Sequence, residues 1–140
     1  MGINMNNNRR QARIRALEFL FASDFGDDLQ ETIKNMTQAM RHSSEEGFPQ
    51  FSHELLEMEQ LHNAEILQDI ESCLEKWDIS RVGKIEKALL RLGITEIKYF
   101  DDIPTRVSIN EYIELSKVYC DPDAKRFING ILDTISRRYK

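Results

Sequence analysis

Between Asp101 and Ile135 the chain spells out two helices joined by a sharp turn, and this is the feature that most narrows the fold. Pro104 cannot sit inside a helix and pushes Ile103 toward an extended conformation. Ser108 and Glu111 have the S-x-x-E spacing of a capping box, which predicts a helix start at Ser108. Ile109, Tyr112, Ile113, Ser116 and Tyr119 then recur at helical intervals. Asp121-Pro122 predicts a second start, with an acid at the N-cap and proline at the first helical position. Phe127, Ile128, Ile131, Leu132 and Ile135 supply the apolar face of that second helix.

The rest of the chain repeats the pattern. Asn6 to Asn8 offer an N-cap for a helix running to about Ser23, with Ile14, Leu17, Leu20 and Phe21 as its apolar stripe. At about 100° per residue, Arg10 shares the azimuth of that stripe, with Arg9 and Arg13 beside it. Arginine is rarely buried without a partner, so this first turn is expected to project past the core into solvent. Cations at a helix N-terminus oppose the macrodipole, at about 0.3–1 kcal/mol each. A placement so unfavourable locally points to function as much as to a solubilising tail.

Asp27 and Asp28 open a second predicted helix through Leu29, Ile33, Met36 and Met40, followed by a polar loop over Arg41 to Gln50. One long helix is predicted next, carrying Leu55, Leu56, Met58, Leu61, Ile66, Ile70, Cys73, Leu74 and Trp77. Ile79-Ser80 breaks it. The following helix bears Val82, Ile85, Ala88, Leu89, Leu92 and Ile97, with Lys84, Lys87 and Arg91 at i, i+3, i+7 on one face and Gly93 interrupting it. No strand or hairpin signal occurs. The expectation is an all-α fold of roughly six or seven helices. At 140 residues it makes a single domain, with residues 1–8 a flexible N-terminus.

Charge is unevenly distributed. The net charge of −5 argues weakly against nucleic acid, yet residues 1–15 hold four arginines and no acid. Residues 42–79 hold ten acids against Lys76 alone, most of them on a hydrated helix face. Four bases face Glu86 over 81–93, and five face Asp133 over 124–140. Polyanion binding follows such local clusters rather than the total. No apolar run reaches bilayer length, and the polar start lacks a secretory signal. Cys73 and Cys120, far apart and outside any C-x-x-C, read as reduced thiols of a cytoplasmic protein.

Catalytic and metal chemistry find no support in the sequence. His42, His53 and His62 lack zinc-ligand spacing, and no G-x-S-x-G, Walker loop or G-x-G-x-x-G occurs. Cys73 fits a small core position between Ile70 and Trp77, and Cys120 has no histidine near it in sequence. Gly130, inside a predicted helix, costs about 1 kcal/mol relative to alanine, so a packing or contact role is expected for it.

Ile109-Asn110-Glu111-Tyr112-Ile113-Glu114-Leu115-Ser116-Lys117, then Lys125 through Asp133, closely resembles the C-terminal signature of the NusB family of transcription antitermination proteins. Arg9-Arg10-x-Ala12-Arg13, Trp77, Arg81 and Glu86-Lys87-Ala88-Leu89-Leu90-Arg91-Leu92 are similar to the family's other elements. The chain departs from it at Thr95-Glu96-Ile97, at Phe21 and across the acidic stretch 43–66.

The resemblance implies two small helical bundles sharing one core, no cofactor and no catalysis. It implies binding of boxA-type single-stranded RNA in nascent ribosomal transcripts, together with NusE, a small-subunit ribosomal protein, within the elongation complex. Carried over by position, RNA contacts fall on Arg9, Arg10, Arg13, Phe21, Glu86, Lys87, Arg91, Asp123, Lys125, Arg126 and Phe127. Arginine and lysine neutralise phosphates, exposed rings stack on unpaired bases, and the acids accept from base edges. Phe21 also fits a core position. Two other readings keep the fold: a protein-only adaptor using the acidic helix, and the RNA-binding module of ribosomal RNA cytosine methyltransferases. The latter needs a Gly-rich cofactor-binding domain that this sequence lacks. Both monomer and homodimer are compatible with the sequence.

Overall fold

The computed structural model describes residues 5–24, 50–75 and 78–140. The helix predicted from Asp27 to Met40, the loop after it up to residue 49, and Trp77 lie outside the described residues. Within them run six α-helices: α1 (Met5–Ser23), α2 (Gln50–Leu61), α3 (Asn63–Ser72), α4 (Lys84–Tyr99), α5 (Thr105–Tyr119) and α6 (Ala124–Tyr139), with a 3-10 turn at Ile79–Arg81. They cluster into two compact units, residues 1–57 and 58–140.

In the first unit, α1 buries Ala12, Ala16, Leu17, Phe19 and Leu20, leaving Ile14 and Phe21 half-buried. The buried face is therefore rotated from the predicted stripe toward the two alanines. Small side chains let another backbone come close: Ser52 Oγ of α2 donates to the Ala12 carbonyl at 2.6 Å. At about 100° per residue Arg13 falls between Leu17 and Leu20, on the predicted stripe and on the buried face alike, while the rotation turns Arg10 outward. Arg13 is 1% exposed. The expectation that the arginine turn projects as a whole into solvent therefore fails for Arg13 and holds for Arg10, which is exposed.

In the second unit the predicted long helix is two helices broken at His62. Leu61 to Ile66 is a five-residue step, which a continuous helix of about 3.6 residues per turn cannot keep on one face. Leu61 is accordingly exposed, while Ile66 and Ile70 are fully buried on α3. The His62 ring stacks on Tyr99 with centroids 3.9 Å apart. Lys98 anchors α3 to α4, its ammonium 2.8 Å from Asp69 Oδ2, and the Tyr139 hydroxyl of α6 donates to Asp69 Oδ1 at 2.9 Å. Burial lowers the Lys98 affinity for its proton, but Asp69 outweighs that and raises it above the usual lysine range.

Helix α4 is buried without interruption from Ala88 to Ile97 and packs against α3, α5 and α6. Gly93 does not interrupt it. A Cβ there would stand 2.9 Å from Leu132 Cδ2 and 3.5 Å from Tyr112, so glycine lets α6 approach. The polar residues enclosed in α4 are satisfied: Glu96 accepts from the hydroxyls of Ser108, at 2.9 Å, and Tyr112. This pairing explains why the predicted capping box is absent. Helix α5 begins at Thr105, directly after Pro104, and Ser108 lies inside it with its hydroxyl turned to Glu96. Likewise α6 starts at Ala124 rather than Pro122, because Asp121 to Ala124 close a turn in which the Ala124 N–H donates to the Asp121 carbonyl at 2.9 Å. Gly130 is exposed, and a Cβ added there meets nothing within 4 Å, so no packing role explains it.

Candidate nucleic-acid interface

The predicted contact residues fall in both units. In the first, Arg9 and Arg13 converge on one ring: their guanidinium carbons lie 5.0 and 5.4 Å from the Phe51 centroid. Phe51 was not predicted as a site residue, since nothing in its local sequence ties it to an arginine pair forty residues earlier. Cation–π contact at such distances draws each guanidinium toward the ring. Arg9 is half-buried, Arg10 exposed and Phe21 half-buried.

In the second unit a cleft of about 330 Å³ opens where the start of α4 meets the turn before α6, walled by Arg81, Val82, Gly83, Glu86, Asp121, Asp123, Ala124 and Phe127. The chain folds this way because the 3-10 turn, capped by Asp78 accepting from Ser80 N–H at 3.3 Å, delivers Gly83 to the α4 N-cap. Three predicted contacts, Glu86, Asp123 and Phe127, meet here. Arg81 and Asp121 join them, although neither was among the predicted contacts. Three carboxylates against one guanidinium make the cleft unfavourable for a phosphate and receptive to hydrogen-bond donors, while Phe127 offers a ring. Lys87 is half-buried one residue beyond Glu86, and Lys125 and Arg126 are exposed between Ala124 and Phe127 in sequence. An adjoining cavity of about 240 Å³ includes Lys125, Asp121 and Cys120. Burial, then a hydrogen bond to Glu86 and its charge, push the Cys120 thiol up to about 12, so it is not a nucleophile near neutrality.

Arg91 is placed differently from the expectation. The face shared by Lys84 and Lys87 does not extend to it: Arg91 is 8% exposed, and its Nε and Nη2 donate to the two Glu59 oxygens at 2.8 and 3.1 Å. Glu59 is fully buried and also accepts from Asn63 Nδ2 at 2.8 Å. Helical spacing marked Arg91 as a neighbour of Lys87; the partner that takes it inward lies 32 residues away.

A helical chain with a ring-lined cleft that carries Arg81, and Lys125 at an adjoining cavity, has the make-up of an all-α nucleic-acid-binding protein. The sequence profile of the NusB family matches residues 10–137. The chain is 39% identical over 128 residues to the transcription antitermination protein NusB of Listeria innocua serovar 6a, covering 91% of this chain and 95% of that protein. It superimposes on T. maritima NusB with a TM-score of 0.83 at 26% identity, covering 99% of this chain and 94% of that one. It also superimposes on a chain from a crystal structure of the antitermination factors NusB and NusE in complex with double-stranded RNA, with a TM-score of 0.81 at 27% identity and 95% and 98% coverage. The chain belongs to the NusB family.

Proposed function

We propose that the chain is a transcription antitermination factor that binds boxA-type single-stranded RNA of nascent ribosomal transcripts together with NusE, in the cytoplasm. The two units act as one module of residues 1–140. The cleft at the start of α4 carries the reading, because it offers a ring and several acceptors to an unpaired base while Lys87, Lys125 and Arg126 stand ready for the adjoining phosphates. Glu86 and Asp123 accept from base edges, Phe127 stacks, and Arg9 and Arg10 neutralise phosphates in the first unit. Arg13 and Arg91, being enclosed, act through packing, each within its own unit. The relative solved with NusE and RNA supports both partners.

The test is a titration of fluorescent boxA-type RNA at several salt concentrations. Arg10→Ala with Lys125→Ala is expected to weaken binding and to lower the salt slope by roughly one to two counterions. An unchanged slope removes these cations from the site. Equal affinity for a double-stranded RNA of the same sequence overturns the single-stranded preference, and tight NusE binding with no RNA affinity favours a protein-only adaptor. Chromatography with and without NusE and RNA gives the oligomeric state.

A further inference from the structure

Gly83 has φ −58° and ψ 151°, a conformation open to any residue, so backbone freedom is not why glycine stands there. Space is the reason. A Cβ at Gly83 would collide with the Glu86 carboxylate, meeting Oε2 and coming within 2.9 Å of Cδ. Glu86 therefore folds back over the N-cap of α4, in the first turn, where a carboxylate suits the macrodipole. The same carboxylate forms part of the cleft wall, and its charge helps to push up the Cys120 thiol at the C-cap of α5.

We propose that Gly83 is a positioning residue that lets the Glu86 carboxylate lie back against the cleft wall, so that the site prefers a base bearing an exocyclic amino group to uracil. The selectivity rests on the reading of the cleft as a base site; the positioning does not. An acceptor fixed in place rewards an amino N–H and repels the carbonyl oxygen that uracil presents at the equivalent edge. An acceptor free to rotate into solvent discriminates less, because the wrong base no longer leaves it facing an unpaired lone pair. The clash that Gly83→Ala introduces is with the end of a flexible side chain, so the variant moves Glu86 and leaves the helix in place.

Two measurements on the full chain separate these claims. The first is alkylation of Cys120 by iodoacetamide at pH 9, resolved from Cys73 by peptide mass. Displacing Glu86 removes a negative charge that disfavours the thiolate, so Gly83→Ala is expected to react several-fold faster than the parent chain, as is Glu86→Ala. An unchanged rate in Gly83→Ala, with helicity retained, overturns the positioning.

The second compares RNA oligonucleotides carrying adenine, cytosine or uracil at each position in turn. Gly83→Ala is expected to reduce the amino-base preference by on the order of tenfold, and to add nothing in a Glu86→Ala background. An equal loss from Gly83→Ala in both backgrounds overturns the mechanism. If Glu86→Ala matches the parent chain on every oligonucleotide, the base-site reading and the selectivity fall together, while the thiol rates still decide the positioning.

Discussion

Replacing Arg91 with alanine distinguishes an RNA contact from a structural ion pair. The Glu59 carboxylate has no exposed surface and receives two hydrogen bonds from Arg91, at 2.8 and 3.1 Å, and one from Asn63, at 2.8 Å. Removing the guanidinium leaves a buried charge with a single amide donor. Breaking one side of such a pair costs about 3–5 kcal/mol, a large share of the roughly 5–15 kcal/mol that holds a domain folded. For a chain of this size that lowers the melting temperature by roughly 10 °C. Replacing both partners, as Glu59→Leu with Arg91→Met, removes the orphaned charge and is expected to recover at least half the loss, since apolar substitutes often match a buried pair. Urea unfolding followed by circular dichroism gives the three free energies, and the same samples are titrated with RNA below their transitions. The reasoning is refuted if Arg91→Ala keeps the parent urea midpoint while losing RNA affinity, for Arg91 then faces the transcript.

Two glycines in helices are expected to respond in opposite directions. Gly130→Ala stabilises by about 1 kcal/mol and raises the melting temperature by roughly 3 °C, because the added methyl meets nothing. Gly93→Ala destabilises by about 1–3 kcal/mol, because its methyl meets the fully buried Leu132 at 2.9 Å; thermal melts of both variants check the pair. At the surface, the Tyr99 hydroxyl bond and the Lys98 charge hold the Glu65 carboxyl below its usual range. A lowered folded-state value stabilises above the ordinary carboxylate range and is lost as pH falls through the folded value. Tyr99→Phe is therefore expected to move the Glu65 titration upward by carbon-13 NMR, and its stability difference from the parent chain is expected to shrink toward acid pH.

Much of this architecture was legible before any coordinates. The apolar periodicity of α1, α4, α5 and α6 forced helices, Pro104 fixed the start of α5 to within a few residues, and the family signature between Ile109 and Asp133 fixed the fold class. Local charge marked Lys87, Lys125 and Arg126, the family resemblance added Glu86, Asp123 and Phe127, and those three share a cleft. The helices depend on residues close in the chain, whose relative directions a helix dictates, whereas the cleft joins the start of α4 to the turn before α6.

What failed were the details that a distant partner decides. Ser108 looked like a cap until Glu96 claimed its hydroxyl, and Arg91 looked like the third base of a solvent face until Glu59 drew it inside. Arg13 is enclosed where solvent was expected, between Leu17 and Leu20 in azimuth and over the Phe51 ring, which no apolar count anticipates. The sequence by itself thus determined that the chain is helical, which family it resembles, and where its cations lie along each helix. Tertiary structure alone decided which of those cations meet solvent and which of two glycines is filled space, because burial and pairing are set by neighbours tens of residues away.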